Sequence, residues 1–283
     1  MPSLKHCFTA LLALIFLGCH KQSPEQPQPS PDPANELPIV KLKDMIEEGL
    51  PSPYYHFDYS NTGYISNIVF ASGLSFYDLT YSNGKIATML MNKDLPANTK
   101  KDKLVYNYEN GDLQGVSVFD KNGLLYRKCL LSFSPARQLL QLDWYVTIDN
   151  TSFLKEQSVR FSYYPGGNLK TIDYQVFAVG PQVAATYQDL FEDYDAKLNA
   201  DGFTLLHLEP FFLDLMWLPS VHLQMNNPRR MIHTAGEQSY TIDYSYTYDD
   251  ENRPVKKSGD FHYTAGENAG KHVSTQTIFT YTE

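Results

Sequence analysis

Leu79-Thr80-Tyr81-Ser82-Asn83-Gly84-Lys85-Ile86 holds a complete β-hairpin in eight residues. Apolar and polar side chains alternate on both sides of Asn83-Gly84, a period of two that belongs to half-buried strands and not to a helix. A two-residue type I′ turn needs positive φ at both central positions, which Asn and Gly accept at the lowest cost. Asn110-Gly111 and Asn122-Gly123 read the same way.

The unit recurs along the chain. An aromatic strand, a polar turn with glycine and an aliphatic return strand follow one another at Phe57-Asp58-Tyr59-Ser60-Asn61-Thr62-Gly63-Tyr64-Ile65, at Tyr106-Asn107-Tyr108-Glu109-Asn110-Gly111-Asp112-Leu113 and at Phe161-Ser162-Tyr163-Tyr164-Pro165-Gly166-Gly167-Asn168-Leu169. The alternation is cleanest where Tyr240, Ile242, Tyr244, Tyr246 and Tyr248 take one face and Thr241, Asp243, Ser245 and Thr247 the other. Hairpins joined in series make a meander. The expected fold is all-β: a meandering antiparallel sheet of repeated hairpins, able to curl on itself, with one or two short helices. The helix candidates are Leu42-Met45-Ile46, closed by Gly49, and Pro210 to Leu218, stopped by Pro219. Thr186 to Leu198 reads as strand because it ends in the Tyr194-Asp195 pattern of the hairpins.

The N-terminus gives an address. Lys5 and His6 precede an apolar run from Phe8 to Leu17, which ends in Phe16-Leu17-Gly18-Cys19. That run is roughly half of what a helix needs to cross hydrocarbon, so it reads as the core of a signal peptide. The ending has the form of a bacterial lipoprotein signal with Cys19 as the lipidated residue; ordinary signal-peptidase cleavage is the alternative. Pro24, Pro27, Pro29, Pro31 and Pro33 then make an extended spacer. The expected organisation is signal peptide 1–18, lipidated cysteine and spacer 19–37, and β domain 38–283. Cys19 is not followed by Asp, which favours the outer membrane and leaves its face open.

Composition narrows the partners. With 23 Lys+Arg against 32 Asp+Glu the net charge is −9, and no basic stripe offsets it. Nucleic acid is therefore not an expected partner. Lipidation of Cys19 and loss of Cys7 with the signal leave Cys129 without a disulfide partner, in an apolar strand-like run that points to a buried, inert thiol.

The aromatic strand and glycine turn resemble YD or RHS hairpin repeats. Tyr194-Asp195-Ala196-Lys197-Leu198-Asn199, followed by Asn226-Asn227-Pro228, then Tyr244-Ser245-Tyr246-Thr247-Tyr248-Asp249 and Pro254-Val255-Lys256, is similar to a family of YD-repeat-like lipoproteins of the Bacteroidota. Asn199-Ala200-Asp201-Gly202 departs from the Asn-Pro usual after the first Tyr-Asp turn. The resemblance implies a β scaffold outside the cytoplasm and brings no catalytic residues with it.

Sequence motifs for chemistry are sparse. Aligning Gly202 with the glycine of an EF-hand loop puts Lys197 at the first carboxylate and Leu208 at the bidentate Glu, so calcium is not expected. His207, His222, His233, His262 and His272 never take an H-E-x-x-H spacing, and G-x-S-x-G does not occur. No cofactor or metal is expected. The 21 tyrosines are the one conspicuous excess. Exposed rings stack on sugars and pack in interfaces, so Tyr240, Tyr244, Tyr246 and Tyr248, with Trp217 and Trp144 next, are the candidate ligand-binding residues. The expected function is a non-catalytic binding or scaffold domain, held on the membrane by its lipid, with a polysaccharide or envelope protein as partner. A glycan-processing enzyme with a carboxylate pair and a lipid-carrying half-barrel are the alternatives.

Overall fold

The computed structural model describes residues 41–92, 102–149, 152–199, 204–207, 215–218 and 221–282. Cys19, the signal and the spacer lie outside the described residues, as do residues 200–203 and 208–214. In chain order the strands are β1 (Leu42–Glu47), β2 (Tyr55–Tyr59), β3 (Ile65–Phe70), β4 (Ser75–Ser82), β5 (Lys85–Asn92), β6 (Lys103–Glu109), β7 (Asp112–Phe119), β8 (Leu125–Phe133) and β9 (Leu139–Thr147). They continue with β10 (Phe153–Tyr163), β11 (Leu169–Val176), β12 (Ala185–Tyr194), β13 (Thr204–His207), β14 (Leu215–Leu218), β15 (Pro228–Thr234), β16 (Tyr240–Tyr248), β17 (Pro254–Tyr263) and β18 (His272–Tyr281). Sixteen of them form one closed antiparallel barrel, while β13 and β14 form a separate two-stranded sheet.

The meander is therefore closed, not an open curled sheet. Closure depends on β1, which the sequence pattern makes a helix and the structure makes a strand: Met45 pairs with Phe279 of β18 on one side and with Tyr55 of β2 on the other. Leu42, Met45 and Ile46 fit a helical stripe and not a strict alternation, but six residues are too few for a helix to persist on propensity, and a bulge between Leu42 and Asp44 brings Leu42 and Met45 to the same inner side of the strand. Ladder pairing on two sides decides for strand. The second helix candidate is corrected over the part described, since Leu215–Leu218 is strand β14. All four of its residues are buried, so no alternation marks it; a short apolar run reads equally as helix or fully buried strand.

Alternation sets inside and outside. In β4, Ser75, Tyr77 and Leu79 are buried while Phe76, Asp78 and Thr80 are exposed. Leu215 and Met216 of β14 share a small cavity with Tyr77, Met91, Leu104, Val118 and Trp144, which come from five barrel strands. Strand β14 thus lies in the lumen. On the outer face polar side chains bond across strands: Asn67 and Asn92 both donate to Asp78, Ser158 to Asp143, and Gln188 to Asp173. Phe76, Leu130, Leu140 and Leu154 are exposed as well, so the outer face is mixed, while the interior is apolar where that of membrane-spanning barrels is polar.

Connections alternate between two rims. One rim carries tight turns. Asn83 and Gly84 sit at φ 52° and 73°, and Asn110 and Gly111 at 51° and 89°, as type I′ turns require. Asn122-Gly123 lies on the other rim and differs: only Gly123 has positive φ, and Asp120 N–H bonds the Leu124 carbonyl while Gly123 N–H returns to Asp120. A three-residue loop with one left-handed position suits the pair as well as a two-residue turn, and Asp120 Oδ1 fixes the choice by accepting from the N–H groups of Asn122 and Leu124.

The tight-turn rim also reveals what the tyrosines do. The ladder slips by one residue just before Tyr59, Tyr81, Tyr108, Phe133, Tyr163 and Tyr248, so each of these aromatics follows a bulge at the end of its strand. Tyr194 and Tyr281 end β12 and β18 in the corresponding place. Four of the hydroxyls donate to the carbonyl of the first residue of the preceding barrel strand: Tyr59 to Leu42, Tyr163 to Leu139 and Tyr194 to Leu169 at 2.7 Å, and Tyr281 to Pro254 at 2.5 Å. In β16 the latch is made two residues earlier, by Tyr246 to Pro228 at 2.9 Å. Each ties the end of one strand to the start of the strand before it, for about 0.5–1.5 kcal/mol.

Candidate functional site

The latch pattern breaks in one sector. Tyr81 and Tyr108 lie next to last in β4 and β6, Phe133 ends β8, and all three line a cleft of about 810 Å³ at the tight-turn rim. Phe133 has no hydroxyl to donate. Tyr64, the last residue of the β2–β3 turn, stacks on Tyr81 with ring centroids 4.8 Å apart and planes at 26°. Tyr64 is 42% exposed and Tyr108 36%, so both rings meet solvent. Burial pushes the Tyr81 hydroxyl up to about 12, with Trp217 pulling it down and Tyr64 and Tyr108 adding to the rise.

Two lysine and arginine side chains frame the opening. Lys85 lies 5.4 Å over the Tyr108 ring and donates to the Gly111 carbonyl, and Arg137 meets Asp112 at 3.0 Å. The floor is apolar, from Ile86, Leu113, Leu131 and Val221. The turn glycines help to shape it. A Cβ on Gly84 would stand 3.3 Å from the Tyr64 hydroxyl, and one on Gly111 would stand 3.0 Å from Lys85 Nζ. Among the described lining residues Asp112 is the one carboxylate.

The residues singled out in the sequence lie elsewhere. Tyr240, Ile242, Tyr244, Tyr246 and Tyr248 do share a face, and it is the lumen face. Tyr240 stacks on His233 at 4.6 Å, and Tyr244 reaches Met231 Sδ at 3.8 Å beneath Lys257. Tyr246 is the β16 latch, and Tyr248 donates to Asp195. Trp144 and Trp217 are each 3% exposed. Trp144 packs under the Arg127 guanidinium at 4.4 Å, and the Trp217 carbonyl accepts from Tyr106. These groups face inward, so an outer stacking platform is not what they build: the sheet is closed, and a ladder of large rings is placed on the side where it packs.

Tyr64, Tyr81, Tyr108 and Lys85 stand in the hairpins quoted from the sequence without being marked as a site. Superimposing the hairpins on their bulges would have pointed to them, because Phe133 is the one position of that series without a hydroxyl. Among the described residues no three of His, Cys, Asp and Glu gather to hold a metal ion.

No family model matches the sequence, and no curated protein matches it. Solved structures do. A porin-like protein from Bacteroides vulgatus ATCC 8482 superposes with a TM-score of 0.55 at 15% identity, over 86% of this chain and 99% of that one. A porin-like protein from Bacteroides uniformis ATCC 8492 gives 0.50 at 11% identity, over 81% and 90%. At such identity the likeness is one of fold, and the class it defines is a closed antiparallel barrel.

Proposed function

We propose that the chain is a cell-envelope lipoprotein whose barrel is a non-catalytic binding domain, anchored at the outer membrane through Cys19 and meeting its ligand in the cleft at the tight-turn rim. The observation that carries this reading is a filled lumen beside an open aromatic cleft. A sixteen-stranded barrel with an empty interior leaves an aqueous channel. Here β14 and the inward side chains occupy it, so contact at a rim replaces passage through the middle. The hydrogen-bonded polar groups of the outer face and the apolar interior support a barrel that stands in water and reaches the membrane by its lipid. The porin-like description of the Bacteroides neighbours and the resemblance to YD-repeat-like lipoproteins both favour the envelope.

The two alternatives have less behind them. Sugar hydrolysis by the usual route needs two carboxyl groups flanking the bond, and the cleft offers Asp112. Lipid carriage needs a continuous apolar cavity, and the apolar interior is taken by strand β14. Fractionation of cells expressing the Cys19→Ser chain tests the anchor: the variant moves to the soluble fraction, whereas an unlipidated variant retained in the membrane pellet refutes it. Purified chain added to a planar bilayer leaves conductance unchanged; discrete channel openings would restore a pore reading.

A further inference from the structure

The break in the latch series gives the cleft a ligand. At Tyr59, Tyr163, Tyr194 and Tyr281 the hydroxyl is taken up by a neighbouring carbonyl and the ring is thereby pinned to the sheet. In the sector from β4 to β8 the corresponding aromatics are Tyr81, Tyr108 and Phe133; all three line the cleft without this latch, Tyr81 and Phe133 resting on the core beneath and the Tyr81 hydroxyl meeting the Trp217 side chain. A repeat maintained around the rim and released over adjacent hairpins marks a place where ring faces serve something other than the sheet.

We infer that this cleft binds an oligosaccharide segment, with Tyr64 and Tyr108 as the stacking platforms; the inference rests on the binding reading above and names its ligand class. Three observations converge on a sugar. Tyr64 stacks on Tyr81 and is still 42% exposed, which suits stacking on the apolar face of a pyranose. Between the rings the rim presents planar and hydroxyl groups, Asn110, Gln114, Ser132 and Ser134, of the kinds that pair with vicinal hydroxyls. The volume of about 810 Å³ falls in the range of small-molecule sites, roughly 300–1,000 Å³. Lys85 and Arg137 beside Asp112 leave the mouth with one net positive charge, so acidic sugars are admitted along with neutral ones.

The test is affinity electrophoresis of the purified full chain in gels containing dextran, mannan, β-glucan, polygalacturonate or chondroitin sulfate, with reducing ends assayed in the same mixtures. At least one polysaccharide retards the wild type, and Tyr64→Ala and Tyr108→Ala each weaken that retardation tenfold or more. Tyr64→Phe, which keeps the ring, retains it, and so does Phe76→Ala, which removes an exposed ring at the opposite rim. Melting curves confirm that the alanine variants are folded. Retardation by none of the five, or equal retardation of wild type and both alanine variants, overturns the sugar site. Release of reducing ends by the wild type overturns the non-catalytic reading instead, and leaves the site to be judged by the variants.

Discussion

The Tyr106 hydroxyl donates to the Trp217 carbonyl at 2.6 Å across 111 positions of sequence, which fastens strand β14 to the barrel wall. Both residues are buried, at 5% and 3% exposure. Tyr106→Phe removes this hydrogen bond at almost constant volume and should cost on the order of 1 kcal/mol. For a domain of this size that lowers Tm by roughly 2–4 °C. Tyr108→Phe, two residues away and exposed, should leave Tm within about 1 °C. A melting experiment in which the two variants behave alike would remove the attachment of β14 at this point.

The second prediction concerns charge inside the lumen. Arg127 and Glu156 are each 5% exposed at the side chain and are ion-paired, with the guanidinium also 4.4 Å from the Trp144 ring. Removing one member of such a pair leaves the other charged and poorly solvated, at about 3–5 kcal/mol. Glu156→Ala should therefore be strongly destabilising in urea titrations. Arg127→Met combined with Glu156→Leu should recover most of the loss, because apolar replacements of similar volume need no solvation. A double variant as unstable as the single one would mean that packing, not charge, is what the pair supplies.

Turn and strand glycines separate two physical effects. Gly84 and Gly111 have φ of 73° and 89°, so Gly84→Val or Gly111→Val forces a β-branched residue into the left-handed region and should cost on the order of 1 kcal/mol or more. Gly115 sits in mid-strand, where an added Cβ would come within 2.5 Å of the Cys129 carbonyl oxygen. Since the obstacle is backbone, Gly115→Ala has to open the β7–β8 ladder and should lower Tm more than either turn variant. Equal effects at all three sites would show that the β7–β8 contact relaxes freely.

Legibility of the fold followed local chemistry. Asn83-Gly84 and Asn110-Gly111 could be read because their turn geometry is dictated by the two residues themselves. Closure could not: Leu42–Glu47 becomes a strand only because β2 and β18 stand ready on either side of it, which no local period records. The tyrosine excess was visible, but its use was not. A hydroxyl at Tyr163 bonded to a carbonyl at Leu139 looks in sequence like any ring fit for stacking, and the cleft shows up only once the latched tyrosines are subtracted. Leu215–Leu218 was ambiguous for a different reason, since a strand buried on both faces loses the alternation that identifies strands.

Cys129 gives a chemical prediction. It is fully buried, lies in the core between β7 and β9, and burial pushes its thiol well above the ordinary range, with Arg127 pulling against that and Asp143 and Glu156 adding to it. The nucleophile is the thiolate, so the mature protein, with Cys7 removed and Cys19 acylated, should not react with a thiol reagent such as DTNB at pH 8. In 6 M guanidinium the cysteine should react within minutes. Prompt labelling of the folded chain would contradict the packing of this wall.

The last prediction concerns the seam where the barrel closes. The described pairing of β1 with β2 consists of Asp44 opposite His56 and Met45 opposite Tyr55, a short contact for a closing ladder. On its outer side His56 Nδ1 meets Asp44 Oδ1 at 2.6 Å and His56 Nε2 meets Asp58 Oδ1 at 3.2 Å, while Thr280 of β18 donates to the other Asp44 oxygen at 2.7 Å. Burial alone lowers the His56 pKa, but the hydrogen bond and charge of Asp44, joined by Asp58, outweigh it, and the folded-state value lies above the ordinary 6.5. A raised pKa in the folded state means that protonated His56 favours folding. Its contribution is complete below about pH 6.5 and is lost as pH rises through the folded-state value. The wild type should therefore lose stability between pH 6 and pH 8 relative to His56→Gln, which carries no titrating group. Urea titrations of the two proteins at both pH values measure the difference, and hydrogen exchange locates it at β1 and β2. Parallel pH profiles for the two chains, or a wild type that gains stability relative to the variant as pH rises, would show that His56 does not hold the seam by its charge.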